Sequence, residues 1–193
     1  MFSKAYQIDL TKPVSSNELL EILFEEYGYN INQSELSKNE TLVNLRSVFI
    51  PKTRTLLLAN GINESQRTFI YAKEIAYNFM NIESRLYTFP WIKFRIFDEV
   101  LNNFYASYFA GALIIPKVRL TSQLKAFFEK HNFDKKIYIR IMENYNASPE
   151  SFYQRLTNIL ANEFNIYNLF FLRFTHKSGS EKFDLTKAVS YTH

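Results

Sequence analysis

The stretch Phe69-Ile70-Tyr71-Ala72-Lys73-Glu74-Ile75-Ala76-Tyr77-Asn78-Phe79-Met80 decides the fold. Phe69, Ala72, Ile75, Ala76, Phe79 and Met80 recur at three- and four-residue spacing, which marks one apolar helical face. Asn63 and Gln66 stand three apart ahead of that face, as a capping box requires, so the helix opens at Asn63. Lys73 and Tyr77 are one turn apart with Glu74 beside them, so this helix carries an amine, a carboxylate and a phenol close together.

Upstream, Ser15-Ser16-Asn17-Glu18 reads as a second capping box, followed by the apolar stripe Leu19, Leu20, Ile22, Leu23 and Phe24, with Gly28 as the stop. Residues 30–34 read as polar punctuation. The alternating run Thr41 to Ile50, the turn Pro51-Lys52-Thr53 and the run Thr55 to Ala59 predict a β-hairpin, and Asn60-Gly61 the next break.

Downstream, an aromatic connection, Tyr87-Thr88-Phe89-Pro90-Trp91, leads to a helix from about Phe97 to Ile115, ended by Pro116. Thr121 is the expected cap of a helix reaching Lys130, and a further helix is expected over Asp134–Asn144. Ser148 before Pro149 starts another, running past Leu160. Tyr167 to Thr175, the turn Ser178-Gly179-Ser180 and Phe183 to Val189 predict a second hairpin. The fold class is therefore α+β and helix-rich, with a β-hairpin near each end. The expected division is 1–116 and 117–193, packed as one compact unit.

Composition narrows the chemistry. The 193 residues include no Cys, which excludes disulfides, zinc ribbons, thiol nucleophiles and iron–sulfur clusters. No apolar run approaches the roughly 18 residues of a membrane helix and Met1 to Leu10 is no signal peptide, so a cytoplasmic protein without a membrane partner is expected. The net charge of +4 is local: Lys117, Arg119, Lys125, Lys130, Lys135, Lys136 and Arg140 face only Glu129, Asp134 and Glu143. Such a block is either an anion-binding patch or a solvated helical face. P-loop and dinucleotide fingerprints are absent, and the three histidines, His131, His176 and His193, are scattered, so no cofactor is expected.

Two segments carry a resemblance. Phe69 to Tyr77, followed by Ala106-Ser107-Tyr108-Phe109-Ala110-Gly111-Ala112-Leu113-Ile114-Ile115-Pro116, resembles the signature helices of the ImmA/IrrE-type metallopeptidase-like family. The Ser148-Pro149-Glu150 helix with Arg155-Leu156 is similar as well, so the resemblance extends over most of the chain and implies a zincin-like domain. In that family the first helix bears H-E-x-x-H, and a carboxylate three residues before an alanine of the second completes the zinc ligands. Matched by position, Lys73 and Tyr77 stand in place of the histidines and Asn103 in place of the carboxylate. Glu74, the general base of an active member, is retained.

An ammonium has no lone pair to give, an amide carbonyl is neutral, and a phenol is a poor zinc ligand at neutral pH. The resemblance thus implies a pseudo-peptidase without metal. In one reading Lys73 stands where the cation stood and neutralises Glu74 in a ligand pocket; in the other, polar packing fills the space. Tyr71, Tyr105 and Tyr108 are candidates to line a pocket for an apolar or acyl ligand, or simply core.

The Ala72-Lys73-Glu74-x-x-Tyr77 pattern with Phe104 to Leu113 is similar to the effector-side domain of XRE-family transcriptional regulators. That implies a sensory module that binds an unknown small-molecule effector or forms a homodimer. Its DNA partner would be held by a helix-turn-helix domain outside this sequence, the sequence being a fragment of a longer regulator. An alternative places a helix-turn-helix at 134–160 itself, with Gln154, Arg155 and Asn158 reading bases. Peptidase activity is the third reading.

Overall fold

A computed structural model describes residues 2–38, 42, 45–85, 97–130, 132–176 and 179–191. The expected aromatic connection Tyr87–Trp91, His131, His193 and parts of the 41–50 and 178–180 predictions lie outside the described residues.

The chain begins with a short helix α1 (Phe2–Ala5) and then α2 (Ser16–Glu25), whose capping box joins Ser15 to Glu18 as the sequence predicts. Gly28, at φ 63°, turns the chain out of α2, and the Tyr29 amide donates back to the Leu23 carbonyl at 3.0 Å. Strand β1 (Asn30–Asn32) follows, then β2 (Ser47–Ile50), a 3-10 turn over Pro51–Thr53 and β3 (Thr55–Leu58). β2 and β3 form the expected hairpin, Val48 opposite Leu57. The polar run at 30–34 supplies a third strand, parallel to β3, so the sheet order is β1-β3-β2 and β2 lies at an edge.

Helix α3 (Glu64–Phe79) is capped by the Asn63–Gln66 box. Glu64 also accepts the backbone and hydroxyl hydrogens of Ser16 at 2.8 Å each, tying the starts of α2 and α3 together. α4 (Phe97–Ile114) packs against α3 through Ala72 and Ala76 on one helix and Ala106 and Ala110 on the other, all fully buried. Four methyl groups where larger side chains would stand let the two helices approach closely.

α5 (Lys117–Phe128) starts directly after Pro116 rather than at Thr121, because Pro116 both stops α4 and holds the extended geometry of an N-cap. α6 (Lys135–Glu143) is capped by Asp134, and α7 (Pro149–Phe164) by Ser148. Asn165, at φ 55°, ends α7 and sends the chain into the hairpin β4 (Leu169–Thr175) and β5 (Asp184–Tyr191), which is irregular between Arg173 and Phe174. The fold is α+β, as expected. One apolar cluster joins Leu19, Leu56, Ile75 and Ile114 to Leu120, Phe152 and Ile159, so residues on both sides of position 116 share a core.

Candidate functional site: a cleft over helix α3

A cleft of about 560 Å³ opens between the β2 edge, the outer face of α3 and the first turn of α7. Ser47, Val48 and Phe49 form one wall, Phe69, Ile70, Lys73, Glu74 and Tyr77 the floor, and Ser148 to Ser151 with Gln154 the far side. Its volume falls in the range of small-molecule sites.

The close contact of α3 with α4 puts Asn103, one turn ahead of Ala106, against the floor. Lys73 Nζ donates to Asn103 Oδ1 at 2.6 Å, and the Tyr77 hydroxyl to the same oxygen at 3.4 Å. The three residues matched by position to metal ligands therefore meet at one point. Their donor set does not fit zinc: the amide oxygen is taken up by two hydrogen donors, and burial raises the Tyr77 phenol further above its ordinary value. Burial lowers the Lys73 ammonium, with Glu74 pulling the other way. Among the described residues no group of three His, Asp or Glu side chains is placed to hold a metal.

Glu74 is buried, and its partner is not Lys73 as the sequence suggests but Arg85. Arg85 Nη1 donates to Glu74 Oε2, with both side chains nearly excluded from water. The Tyr29 hydroxyl donates to the same oxygen at 2.9 Å and itself accepts from Asn78 at 2.8 Å and from Arg85 at 3.0 Å. The Arg85 guanidinium lies between the rings of Phe49, 4.1 Å away, and Tyr77, 4.9 Å away. Burial raises the Glu74 carboxyl against the pull of Arg85, Tyr29 and Lys73, and pushes the Tyr29 phenol up to about 12. Glu74 Oε2 is thus held in a fixed network with Arg85 and Tyr29 on the floor of the cleft. Sequence reasoning misses Arg85 because it lies in an irregular stretch after α3, and only the fold brings it back over the helix.

The remaining candidates do not join this cleft. Tyr71 is buried in the core, and Tyr105 and Tyr108 lie half exposed on α4, so none of the three lines it. The cleft's aromatic groups are Phe49, Phe69 and Tyr77 instead. Arg155 is buried, donates Nε to the Ile115 carbonyl at 3.3 Å and stacks over Tyr108. Asn158 donates to the Gln154 carbonyl, and Gln154 to Glu150 while lining the cleft. Phe152, Leu156 and Ile159 are buried as well, so of the three side chains expected to read bases Arg155 is held in the core and Gln154 and Asn158 are half-buried.

No protein-family model matches the chain, and no curated protein does. Among the described residues no helix is long and apolar enough to cross a membrane. The fold is similar to that of a solved Mycobacterium tuberculosis transcriptional regulator, with a TM-score of 0.57 and 18% sequence identity. The match covers 92% of this chain and 49% of that one, so the chain spans about half the length of the protein it resembles.

Proposed function

We propose that the chain is a non-catalytic regulatory module of a transcriptional regulator of the XRE kind, built on a degenerate ImmA/IrrE-type domain. Its cleft receives a small-molecule effector, and its state governs a DNA-binding domain outside this chain. The observation that carries the reading is the 2.6 Å bond from Lys73 to Asn103: where a hydrolytic relative needs three lone pairs, this chain presents an ammonium and an amide satisfied by each other. A cleft kept open above that pair supports ligand binding over mere filling. The likeness to a transcriptional regulator supports the regulatory role at the level of the fold.

Two measurements test the proposal. Equilibrium dialysis against zinc is expected to leave the chain without stoichiometric metal, and a bound zinc lost on Glu74→Gln would overturn the non-catalytic reading. Native mass spectrometry of the purified chain is expected to show a retained small molecule that is lost on Lys73→Met. A bare chain whose melting temperature no member of a metabolite library moves would remove the effector.

A further inference from the structure

We infer that the cleft selects small monocarboxylates with an apolar body, the carboxylate being held by Lys73 on the floor. The inference rests on the reading of the cleft as an effector site and goes beyond it by naming the ligand's chemistry. The charged side chains that line the cleft are Arg46, Lys73, Glu74, Arg85 and Glu150. Glu74 is paired with Arg85, and Glu150 with Arg173 and Lys187 of the hairpin. Arg46 and Lys73 remain, and among the described residues neither forms an ion pair.

Of these two cations, Arg46 is exposed at the rim and Lys73 is half-buried in the floor. Lys73 Nζ spends one hydrogen on the neutral amide oxygen of Asn103, and the Tyr77 ring lies 5.8 Å away. Neither neighbour carries a counter-charge. A sheltered ammonium gives up hydration that an amide dipole does not replace, which is why burial lowers its hold on the proton even with Glu74 pulling the other way. The two N–H groups that Asn103 leaves are donors for an anion entering from the cleft, and a charge-assisted bond there restores the balance.

The surroundings set the kind of anion. Glu74 follows Lys73 in the chain and Glu150 faces it from the first turn of α7, so a second negative charge on the ligand meets repulsion that the first does not. A single carboxylate fits this site better than a phosphate dianion. The body of the ligand follows from the walls. Phe69 and Ile70 lie one turn before Lys73 on α3, and Val48 and Phe49 of β2 close the side, which gives apolar surface next to the ammonium.

Calorimetric titration of the 193-residue chain with four probes of one shape tests the inference: naphthylacetate, its uncharged amide, naphthylethylamine and naphthyl phosphate. The carboxylate is expected to bind about tenfold or more tighter than the amide, the worth of one charge-assisted hydrogen bond, and tighter than the amine and the phosphate. Lys73→Gln keeps a donor for Asn103 and removes the charge. It is expected to abolish the preference for the acid while the amide binds as before, which also shows that the cleft is still folded. Lys125→Gln, at an exposed lysine of α5, is expected to leave every affinity unchanged. An amide that binds the wild-type chain as well as the acid would leave the effector reading standing and overturn the selection by charge. A preference for the phosphate or the amine, or a preference for the acid that survives Lys73→Gln, overturns it too. Silence from all four probes removes the inference, and the effector reading is then decided separately by the metabolite library.

Discussion

Glu74 and Lys73 are neighbours in sequence with separate partners, and that separation sets what each does. Glu74 sits in a closed network with Arg85, Tyr29 and Asn78. Glu74→Gln leaves the Arg85 guanidinium between two rings without its counter-charge, and breaking a buried pair from one side costs about 3 kcal/mol. Urea unfolding is expected to show a loss of that order, whereas a base kept only for chemistry would be replaced with little change. Lys73 predicts the opposite sign. Its folded value is lowered by burial, so the folded state gives up that proton more readily than the unfolded one. The wild-type chain therefore gains stability as pH rises through the folded value towards the unfolded one. Lys73→Met escapes this dependence: its stability relative to wild type is expected to be greatest at neutral and acid pH and to shrink in alkali. Denaturant melts at several pH values read this directly, and an advantage that grows with pH would contradict the assignment. Spacing on one helix groups 73, 74 and 77, and it is the family resemblance that adds Asn103 from the second helix. Neither reveals Arg85 as the partner, because that contact depends on how the chain after α3 folds back.

The elements whose ends carry hydrogen-bonding side chains are the ones legible in advance. Ser15 with Glu18, Asn63 with Gln66, and Ser148 before Pro149 mark three helix starts, each an orphan-amide problem solved within four residues. β1 escapes notice because it is three residues long, polar at both ends, and owes its existence to parallel pairing with a strand more than twenty residues away. The C-terminal hairpin is legible as two strands, but which face is apolar to solvent depends on Glu150. Burial pushes the Glu150 carboxyl up, yet hydrogen bonds from Arg173 and Lys187 outweigh it and hold it below its ordinary value. A depressed folded value means that this docking is fully present above the ordinary carboxylate range and is lost as pH falls through the folded value. Each pair is partly exposed and contributes less than about 1 kcal/mol, so the effect is local and not global. Hydrogen exchange is expected to show the β4 amides opening faster in acid, and Glu150→Gln reproducing that opening at neutral pH while α3 keeps its protection. Equal loss of protection in α3 would show that Glu150 supports the whole fold instead.

The regions before and after Pro116 are separable in sequence but not in packing. α7 sends Phe152, Leu156 and Ile159 into the cluster that holds Leu19 and Leu23 of α2, Leu56 and Leu58 of β3, and Ala72 and Ile75 of α3. Sequence periodicity identifies each of these faces as apolar, and it carries no term for which face meets which, so the shared core is invisible to it. The cleft is a product of the same arrangement: β2, α3 and α7 are brought to its three sides by the core beneath them. A single core predicts a single transition. Phe152 is fully buried against the rings of Tyr138, Tyr145 and Tyr153, and its truncation removes a large side chain from well-packed surroundings. Phe152→Ala is expected to cost about 3–5 kcal/mol. If the regions are one cooperative unit, that loss appears equally in the exchange of the Ala72 and Ile75 amides, on a helix that Phe152 does not belong to. Two domains of independent stability would instead leave those amides at wild-type protection while α7 opens, and calorimetry would resolve two transitions where one is expected.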